Sequence, residues 1–236
     1  MLTINKLLSL AAAMFFTLSI SAQASVRCYN KGNKMVDKED YQKAINLFTK
    51  AIRFDRFFSE AYYNRGLAKS KLKDYPGAIA DYTRAIELEP MHAAAYNNRG
   101  ADKKELNDLE GAEKDYTKAI EIDTAYTKAY FNRGIVRFLT GEYSSSMTDF
   151  TKALRSAPDM KDAWFNRGVS KLKTGDHAGA IFDFSKAIEL DPGMAKAYVN
   201  RGVAMIMSKK KEDGLKDLAK AKELGYNVTL IEIGQE

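Results

Sequence analysis

The chain has 236 residues, with 37 Lys and Arg against 31 Asp and Glu, and a formal net charge of +6. Basic and acidic residues are interleaved along the sequence, which argues against nucleic-acid binding because that function favours a concentrated basic face. The single cysteine, Cys28, excludes an internal disulfide bond, so packing must stabilise the fold.

The first 24 residues show the pattern of a secretory signal peptide. Lys6 precedes an apolar run from Leu7 to Ile20, and Ala22-Gln23-Ala24 provides small residues around a cleavage point. The run is about 14 residues long, whereas a membrane-spanning helix needs roughly 20. We therefore expect cleavage after Ala24 and a periplasmic or secreted protein that keeps no stable membrane span. A retained membrane anchor is the alternative.

The sequence from residue 25 onward is periodic. Asn-Arg-Gly triplets recur with their glycines 34 residues apart, and they begin at Asn64, Asn98, Asn132, Asn166 and Asn200. Asn30-Lys31-Gly32 is a sixth copy in the same phase. A fixed period predicts one supersecondary unit stacked on copies of itself. The predicted repeats span residues 25–58, 59–92, 93–126, 127–160, 161–194 and 195–228, and residues 229–236 form a tail.

Each repeat carries two sets of residues at helical spacing. In the second repeat these sets are Tyr62, Gly66 and Lys69, and then Ala78, Tyr82, Ala85 and Ile86. A polar stretch separates the two sets, and Pro90 marks the end of the second. Each repeat is therefore predicted to be a helix, a tight turn and an antiparallel helix.

This pattern closely resembles that of the tetratricopeptide repeat (TPR) family. The aromatic residues early in the first helix are Tyr62, Tyr96, Tyr130, Trp164 and Tyr198. The aromatic residues of the second helix are Phe48, Tyr82, Tyr116, Phe150 and Phe184. Alanines flank them, and Pro90, Pro158 and Pro192 close three repeats. The resemblance implies an all-α fold, a right-handed αα superhelix (solenoid) of six stacked helix-turn-helix units, with its first helices on the concave surface.

The arginine of each triplet is predicted to form an ion pair within its own hairpin. The residue numbers of two facing residues in an antiparallel hairpin add up to a nearly constant value. This places Gly66 opposite Ala78 and Arg65 opposite Asp81. The further pairs are Arg99 with Asp115, Arg133 with Asp149, Arg167 with Asp183, and Arg201 with Asp217. The alternative is a basic ladder for an anionic ligand. Repeat one has Lys31 opposite Leu47 and should lack the pair.

The asparagine of each triplet is turned away from the glycine face. The resemblance extends to family members, O-linked N-acetylglucosamine transferases among them, in which an asparagine ladder holds a peptide backbone. An Asn amide both donates and accepts, so it matches a peptide group. The candidate partner-binding asparagines are Asn64, Asn98, Asn132, Asn166 and Asn200. The alternative is that each amide bonds the neighbouring helix.

Apolar residues share the asparagine stripe in repeats four to six. The candidate partner-binding residues there are Phe131, Ile135, Phe138, Phe165, Val169 and Leu172, and the stripe continues with Leu139, Val199, Val203, Ile206 and Met207. In repeat three the residues of this stripe are polar instead, and they include Asn97, Lys104 and Glu105. An apolar groove flanked by amides suits an extended or helical peptide with hydrophobic anchors. The alternative is that superhelical curvature or the C-terminal tail buries these side chains.

The last repeat departs from the pattern and is interpreted as a cap. Gly214, Leu218 and Lys222 replace more apolar residues, and solenoid ends need a polar outer face. The segment Val228–Ile233 is apolar for a chain end, so it either folds back or docks on a partner.

No pattern predicts catalysis, a cofactor or a metal site. His92 and His177 lie near turns without metal-ligand spacing around them, and no phosphate loop or nucleophile elbow is present in the sequence. The sequence therefore predicts a non-enzymatic, exported scaffold or assembly factor that binds a protein or peptide. Two alternatives stay open: a non-catalytic subunit of an enzyme or secretion complex, and a glycan or cell-wall binder. The oligomeric state is not predicted.

Overall fold

The computed structural model describes residues 21–227, and all regular structure in that range is helical. The apolar run Leu7–Ile20 and the tail 229–236 lie outside the described residues. Residues 21–24, around the expected cleavage point, belong to the first described helix. The chain divides into two compact units, one ending at Ile122 and one beginning at Asp123.

Each unit consists of three helical hairpins. The N-terminal unit contains α1 (described from residue 21 to 36), α2 (Tyr41–Phe54), α3 (Ser59–Lys71), α4 (Tyr75–Leu88), α5 (Ala93–Glu105) and α6 (Leu109–Ile122). The C-terminal unit contains α7 (Thr127–Leu139), α8 (Tyr143–Ser156), α9 (Lys161–Lys173), α10 (His177–Leu190), α11 (Ala195–Met207) and α12 (Lys211–Glu223). Within each unit, the second helix of one hairpin packs against the first helix of the next. The predicted all-α array of helix-turn-helix units is confirmed.

A left-handed residue followed by an N-cap turns the chain inside each hairpin. The residues with positive φ at these turns are Glu39, Lys73, Asn107, Gly141, Gly175 and Lys209. Asp40, Asp74 and Asp176 then cap the next helix, each accepting a hydrogen bond from a backbone N–H three residues ahead. Such caps satisfy backbone donors that a helix start leaves unpaired. The short polar stretches of the sequence therefore encode both the turn and the start of the second helix.

The core of each hairpin is built from small residues on either side of a large one. In the second helices, the buried sets are Ala44, Phe48 and Ala51; Ala78, Tyr82 and Ala85; Ala112, Tyr116 and Ala119; Ser146, Phe150 and Ala153; Ala180, Phe184 and Ala187; and Gly214, Leu218 and Ala221. All six sets stand at the positions that the family resemblance implied. The last set is the least bulky, because Gly214 and Leu218 replace an alanine and an aromatic residue.

The glycine of each triplet makes room for a ring as well as for a small residue. A Cβ atom on Gly168 would lie 2.8 Å from the Phe184 ring, and the glycines of the other aromatic-containing hairpins face their rings in the same way. In the last hairpin, a Cβ on Gly202 would lie 2.8 Å from the carbonyl oxygen of Gly214. The sequence predicted the close approach of the two helices but missed the ring that fills the space above the glycine.

Replacing Gly168 with Ala should destabilise the protein although alanine is the better helix former. Ala favours a helix over Gly by about 1 kcal/mol, but the added methyl group would push Phe184 out of its packed position, and overpacking typically costs about 1–3 kcal/mol. We expect a net loss in the free energy of unfolding, measured by urea denaturation. Gly193→Ala, in an exposed turn, is the matched control. A Gly168→Ala protein as stable as this control would contradict the ring contact.

Candidate functional site

The triplet arginines form the predicted ion pairs. Arg65 donates from Nε and Nη2 to the two carboxylate oxygens of Asp81, at 2.9 and 2.6 Å. The same two-pronged contact joins Arg99 to Asp115, Arg133 to Asp149, Arg167 to Asp183, and Arg201 to Asp217. Repeat one has the exposed Lys31 opposite Leu47 and lacks this pair, as expected. These guanidinium groups are therefore structural rather than a ladder for an anionic ligand.

Each of four arginines also reaches the preceding hairpin, which the sequence analysis missed. Arg65 Nη1 donates to Thr49 Oγ1 at 3.1 Å. Arg99, Arg167 and Arg201 make the equivalent bonds to Thr83, Thr151 and Ser185. The signal was present in the sequence, because a hydroxyl residue lies 16 positions before each of these arginines. The arginine therefore holds its own hairpin closed and also fastens it to the one before.

Most of the buried aspartates meet a second cation. Lys69, Lys103, Arg137 and Lys171 approach Asp81, Asp115, Asp149 and Asp183, respectively, at 2.8–3.0 Å. The last hairpin has Met205 at the equivalent position, and the ion pair described for Asp217 is that with Arg201. The last of the five ion-paired hairpins therefore has one described cation on its aspartate where the other four have two.

In the N-terminal unit, the asparagine amides are used to join neighbouring hairpins. Asn64 Nδ2 donates to Tyr29 Oη at 2.9 Å and to Asn33 Oδ1 at 3.0 Å. Asn98 Nδ2 donates to Tyr63 Oη at 2.9 Å, and its Oδ1 accepts from Asn97 Nδ2 at 3.1 Å. Asn64 and Asn98 therefore bond the neighbouring first helix, as the alternative interpretation of the asparagines predicts.

In the C-terminal unit, two asparagine amides are bonded differently. Asn166 Nδ2 donates to the Asp162 carbonyl on its own helix, and Asn200 Nδ2 donates to that of Lys196, both at 2.8 Å. Tyr29 and Tyr63 lie 35 positions before Asn64 and Asn98, respectively. At the same distance before Asn166 and Asn200 stand Phe131 and Phe165, and phenylalanine has no hydroxyl group.

Three triplet asparagines have an amide oxygen that accepts no hydrogen bond from residues 21–227. They are Asn166 and Asn200 in the C-terminal unit and Asn64 in the N-terminal unit. Asn132 is engaged in a contact of its own. The two units therefore differ in the partner of the amide nitrogen, which lies on the preceding hairpin for Asn64 and Asn98 and on the same helix for Asn166 and Asn200.

The apolar stripe beside these amides is half-buried. Phe131 packs on Phe150, and Phe165 packs on Phe184, with ring centroids 5.8 and 5.7 Å apart. Ile135, Phe138, Val169, Leu172, Val203 and Ile206 are also half-buried. Each of these side chains has an inner part in the hairpin core and an outer part that forms the surface.

The stripe has one buried member and two exposed ones. Val199 is only 4% exposed and packs with Leu218 and Ala221, so it belongs to the core. Leu139 and Met207, at equivalent positions near the ends of α7 and α11, are 57% and 55% exposed. The accessible apolar surface is therefore largest near the C-terminal ends of these first helices.

A charged pair borders the stripe between α9 and α11. Lys196 Nζ lies 4.5 Å from the centroid of the Phe165 ring and 3.8 Å from Asp162 Oδ1, and both charged side chains are about half exposed. A cation over an aromatic face is attracted by the ring quadrupole. The Lys196 ammonium group therefore lies over the Phe165 ring, beside the amides of Asn166 and Asn200.

The polar residues expected on the stripe in repeat three make contacts within the protein. Asn97 is only 4% exposed, so it is an interior residue. Lys104 pairs with Glu105 on the same helix at 3.1 Å. In the N-terminal unit the stripe is therefore polar, and its polar groups bond within the protein. In the C-terminal unit the stripe is apolar and half-buried, and it lies beside the amides of Asn166 and Asn200.

Within residues 21–227, no group of three or more His, Cys, Asp and Glu side chains is arranged to hold a metal ion. Over the same range, none of the helices combines the length and the apolar character needed to cross a bilayer.

The fold and the repeated hairpin contacts define a helical-repeat protein of the solenoid class. Family models described as tetratricopeptide repeat match residues 59–92 and 162–194, and residues 93–126 and 127–160. These matches together span more than half of the sequence, so the chain belongs to the TPR family. Proteins of this family are typically non-catalytic scaffolds. No curated relative matches the sequence significantly.

Solved structures show the same fold. PilF of Pseudomonas aeruginosa superposes with a TM-score of 0.75 at 16% identity, over 90% of this chain and 96% of that one. YrrB, described as a TPR protein with an unusual peptide-binding site, gives a TM-score of 0.69 at 25% identity, over 75% of this chain and 91% of that one. The first TPR region of Spaghetti (RPAP3), bound to the HSP90 peptide SRMEEVD, gives 0.50 at 28% identity, over 51% of this chain and 95% of that one.

Asn98 should contribute to stability through Tyr63, whereas Asn166 should not contribute in this way. A typical intramolecular hydrogen bond adds about 0.5–1.5 kcal/mol. Asn98→Ala and Tyr63→Phe should therefore each lower the free energy of unfolding, and the double variant should lose less than the sum of the two. Asn166→Ala, whose amide bonds only its own helix, should change stability by less. Additive losses for Asn98→Ala and Tyr63→Phe in urea denaturation would contradict the inter-hairpin bond.

Proposed function

We propose that this protein is an exported, non-catalytic scaffold or assembly factor that binds an extended segment of a partner protein. The segment lies along the first helices of the C-terminal unit, α7, α9 and α11. Its backbone N–H groups donate to the open amide oxygens of Asn166 and Asn200. Its apolar side chains rest on the stripe that runs from Phe131 to Met207.

The observation that carries this proposal is that the amides of Asn166 and Asn200 are not tied to the preceding hairpin and stand beside the apolar stripe. Asn64 and Asn98 are bonded by tyrosine hydroxyl groups of the preceding hairpin. Asn166 and Asn200 follow hairpins with phenylalanine in that place, and their Oδ1 atoms accept no hydrogen bond from residues 21–227. An exposed amide oxygen that accepts from a peptide N–H recognises the backbone without reading the sequence.

The apolar residues of the stripe supply the anchoring surface. Leu139 and Met207 are more than half exposed, and Phe165, Val169 and Leu172 are half-buried between them along the unit. Hydrophobic side chains of a bound segment would remove the outer parts of these groups from water, which gives roughly 25 cal/mol for each Å² of apolar surface buried. The partner segment is therefore expected to be apolar at alternating or helically spaced positions.

The comparisons support peptide binding as the general activity. YrrB is described as having a peptide-binding site, and the RPAP3 region was solved with a bound peptide. Both resemble this chain in fold. The transfer of peptide binding to this chain, and its assignment to α7, α9 and α11, are our proposal.

Site-specific photo-crosslinking in the native host tests the location of the surface. A photoreactive residue replacing the exposed Met207 should crosslink to a partner segment, which mass spectrometry of the crosslinked peptide then identifies. The matched control is Lys71, which is exposed at the equivalent position of repeat two. Equal crosslinking of one partner from positions 71 and 207 would place the binding surface elsewhere.

The identified segment, made as a synthetic peptide, then tests the amides. Asn166→Ala with Asn200→Ala should weaken binding about tenfold or more in calorimetry, since two hydrogen bonds of about 0.5–1.5 kcal/mol each are lost. Asn64→Ala should leave the dissociation constant unchanged. Phe165→Ser is a poorer probe, because Phe165 also packs on the core residue Phe184. Unaltered binding by the double variant would rule out the amide contacts.

Export is tested at the N-terminus of the protein isolated from its host. The signal-peptide pattern predicts a mature chain that begins at Ser25, found in the periplasmic or secreted fraction. N-terminal sequencing of the fractionated protein checks both statements. Recovery of the chain with Leu7–Ile20 still attached, in the membrane fraction, would support the retained anchor instead.

A further inference from the structure

Asp102 is an acidic residue at a core position of the repeat. It lies on α5, is 4% exposed, and occupies position 10 of repeat three. The corresponding residues of repeats two, four, five and six are Ala68, Val136, Ser170 and Ala204, which are all buried. Four of the six repeats thus place an apolar or hydroxyl side chain at this point, whereas repeat one has the exposed Lys34 and repeat three has the buried Asp102.

The carboxyl group of Asp102 is only partly satisfied. Its Oδ1 accepts a hydrogen bond from Ser70 Oγ on α3 at 2.7 Å. Among residues 21–227, its buried Oδ2 has no hydrogen-bond partner, and neither has the buried hydroxyl of Tyr116. A buried charge without a compensating partner is costly, so the ionised form of Asp102 is poorly accommodated.

The nearby cations are already committed to other carboxylates. Of the helices packed against α5, α3 carries Lys69, which pairs with Asp81 of α4. On α5 itself, Lys103 pairs with Asp115 of α6. The further titratable groups that interact with Asp102 are the phenols of Tyr82 and Tyr116 and the carboxyl group of Glu105. Unlike Asp81 and Asp115, Asp102 is joined to no Lys or Arg by an ion pair within residues 21–227.

This environment shifts the titration of Asp102. Burial raises its pKa from 3.8 to about 6, the hydrogen bond from Ser70 opposes this rise, and the negative charge of Glu105 adds to it. Burial also raises the pKa of the Tyr116 hydroxyl.

We propose that Asp102 is a protonation switch of the N-terminal unit. In its neutral form it completes the packing of α5 against α3 and α4. In its ionised form it loosens that contact, because the charged group draws water toward a position that is apolar or hydroxyl-bearing in repeats two, four, five and six. Mild acidification therefore tightens repeats two and three.

The sign of the pH dependence follows from the raised pKa. The folded protein holds the proton more tightly than the unfolded chain, so the stabilising effect is complete below about pH 3.8 and is lost as the pH rises through about 6. One unit of pKa corresponds to a tenfold change in the equilibrium constant. The loss is thus on the order of tenfold to a hundredfold in the folding constant.

The experiment compares the purified full chain with Asp102→Asn and Asp102→Ser at several pH values between 4.5 and 8. Asn keeps the size of the side chain without its charge, and Ser is the residue found at this position in repeat five. Both variants should be more stable than the wild type at pH 7.5, and the difference should shrink toward pH 5. Asp159→Asn, at an exposed turn residue, should follow the wild type throughout.

Two direct measurements locate the effect. NMR titration of the Asp102 carboxyl carbon should give a pKa above 5. Amide hydrogen exchange in α3 and α5 should be slower in Asp102→Asn than in the wild type at pH 7.5, and the two proteins should converge at pH 5. A measured pKa near 4, or a stability difference that does not vary with pH, would overturn the proposal. If neither variant folds, the NMR titration of the wild type decides alone.

Discussion

The rest of the structure depends on the ion pair made by the arginine of each Asn-Arg-Gly triplet, whose guanidinium group is largely shielded from water. In four repeats it binds the aspartate of its own second helix with two nitrogens and a hydroxyl group of the preceding hairpin with the third. It also lies over the aromatic ring that precedes it by three residues, as Arg65 does over Tyr62. One side chain therefore sets both the spacing of the two helices in its hairpin and the position of that hairpin on the preceding hairpin. Breaking such a pair by removing one partner leaves an uncompensated buried charge, which typically costs about 3–5 kcal/mol.

The regularity of this framework leaves the first helices free to differ. Their inner residues are fixed by the glycine, the aromatic residue and the arginine, so the remaining positions can vary without disturbing the stack. The N-terminal unit uses that freedom for tyrosine and asparagine side chains that bond one another. The C-terminal unit uses it for phenylalanine and aliphatic residues beside open amides. Two halves with the same backbone therefore have different surface chemistry.

Much of the fold could be predicted from the sequence because its determinants are local and repeated. The period of 34 residues gave the hairpins, and the constant summed index of facing residues identified Arg65 with Asp81 and its four counterparts. The bonds from these arginines to Thr49 and its equivalents were missed because each bond joins two different repeats. The pairing of facing positions within one hairpin does not predict contacts between hairpins. The ring above Gly168 was missed for a related reason, since summed indices compare backbone positions and ignore how far a large side chain extends.

The candidate site was only partly predictable. All five triplet asparagines look alike in the sequence. Whether the amide nitrogen bonds the preceding hairpin depends on the residue 35 positions earlier, which is Tyr29 for Asn64 and Tyr63 for Asn98. At the corresponding place, 35 positions before Asn166 and Asn200, stand Phe131 and Phe165. A phenylalanine and a tyrosine differ by one oxygen atom. A single oxygen therefore decides whether the next hairpin's amide nitrogen bonds the preceding hairpin or its own helix. Exchanges between these two residues would change which hairpins are joined through their asparagines, one repeat at a time, while the backbone stays where it is.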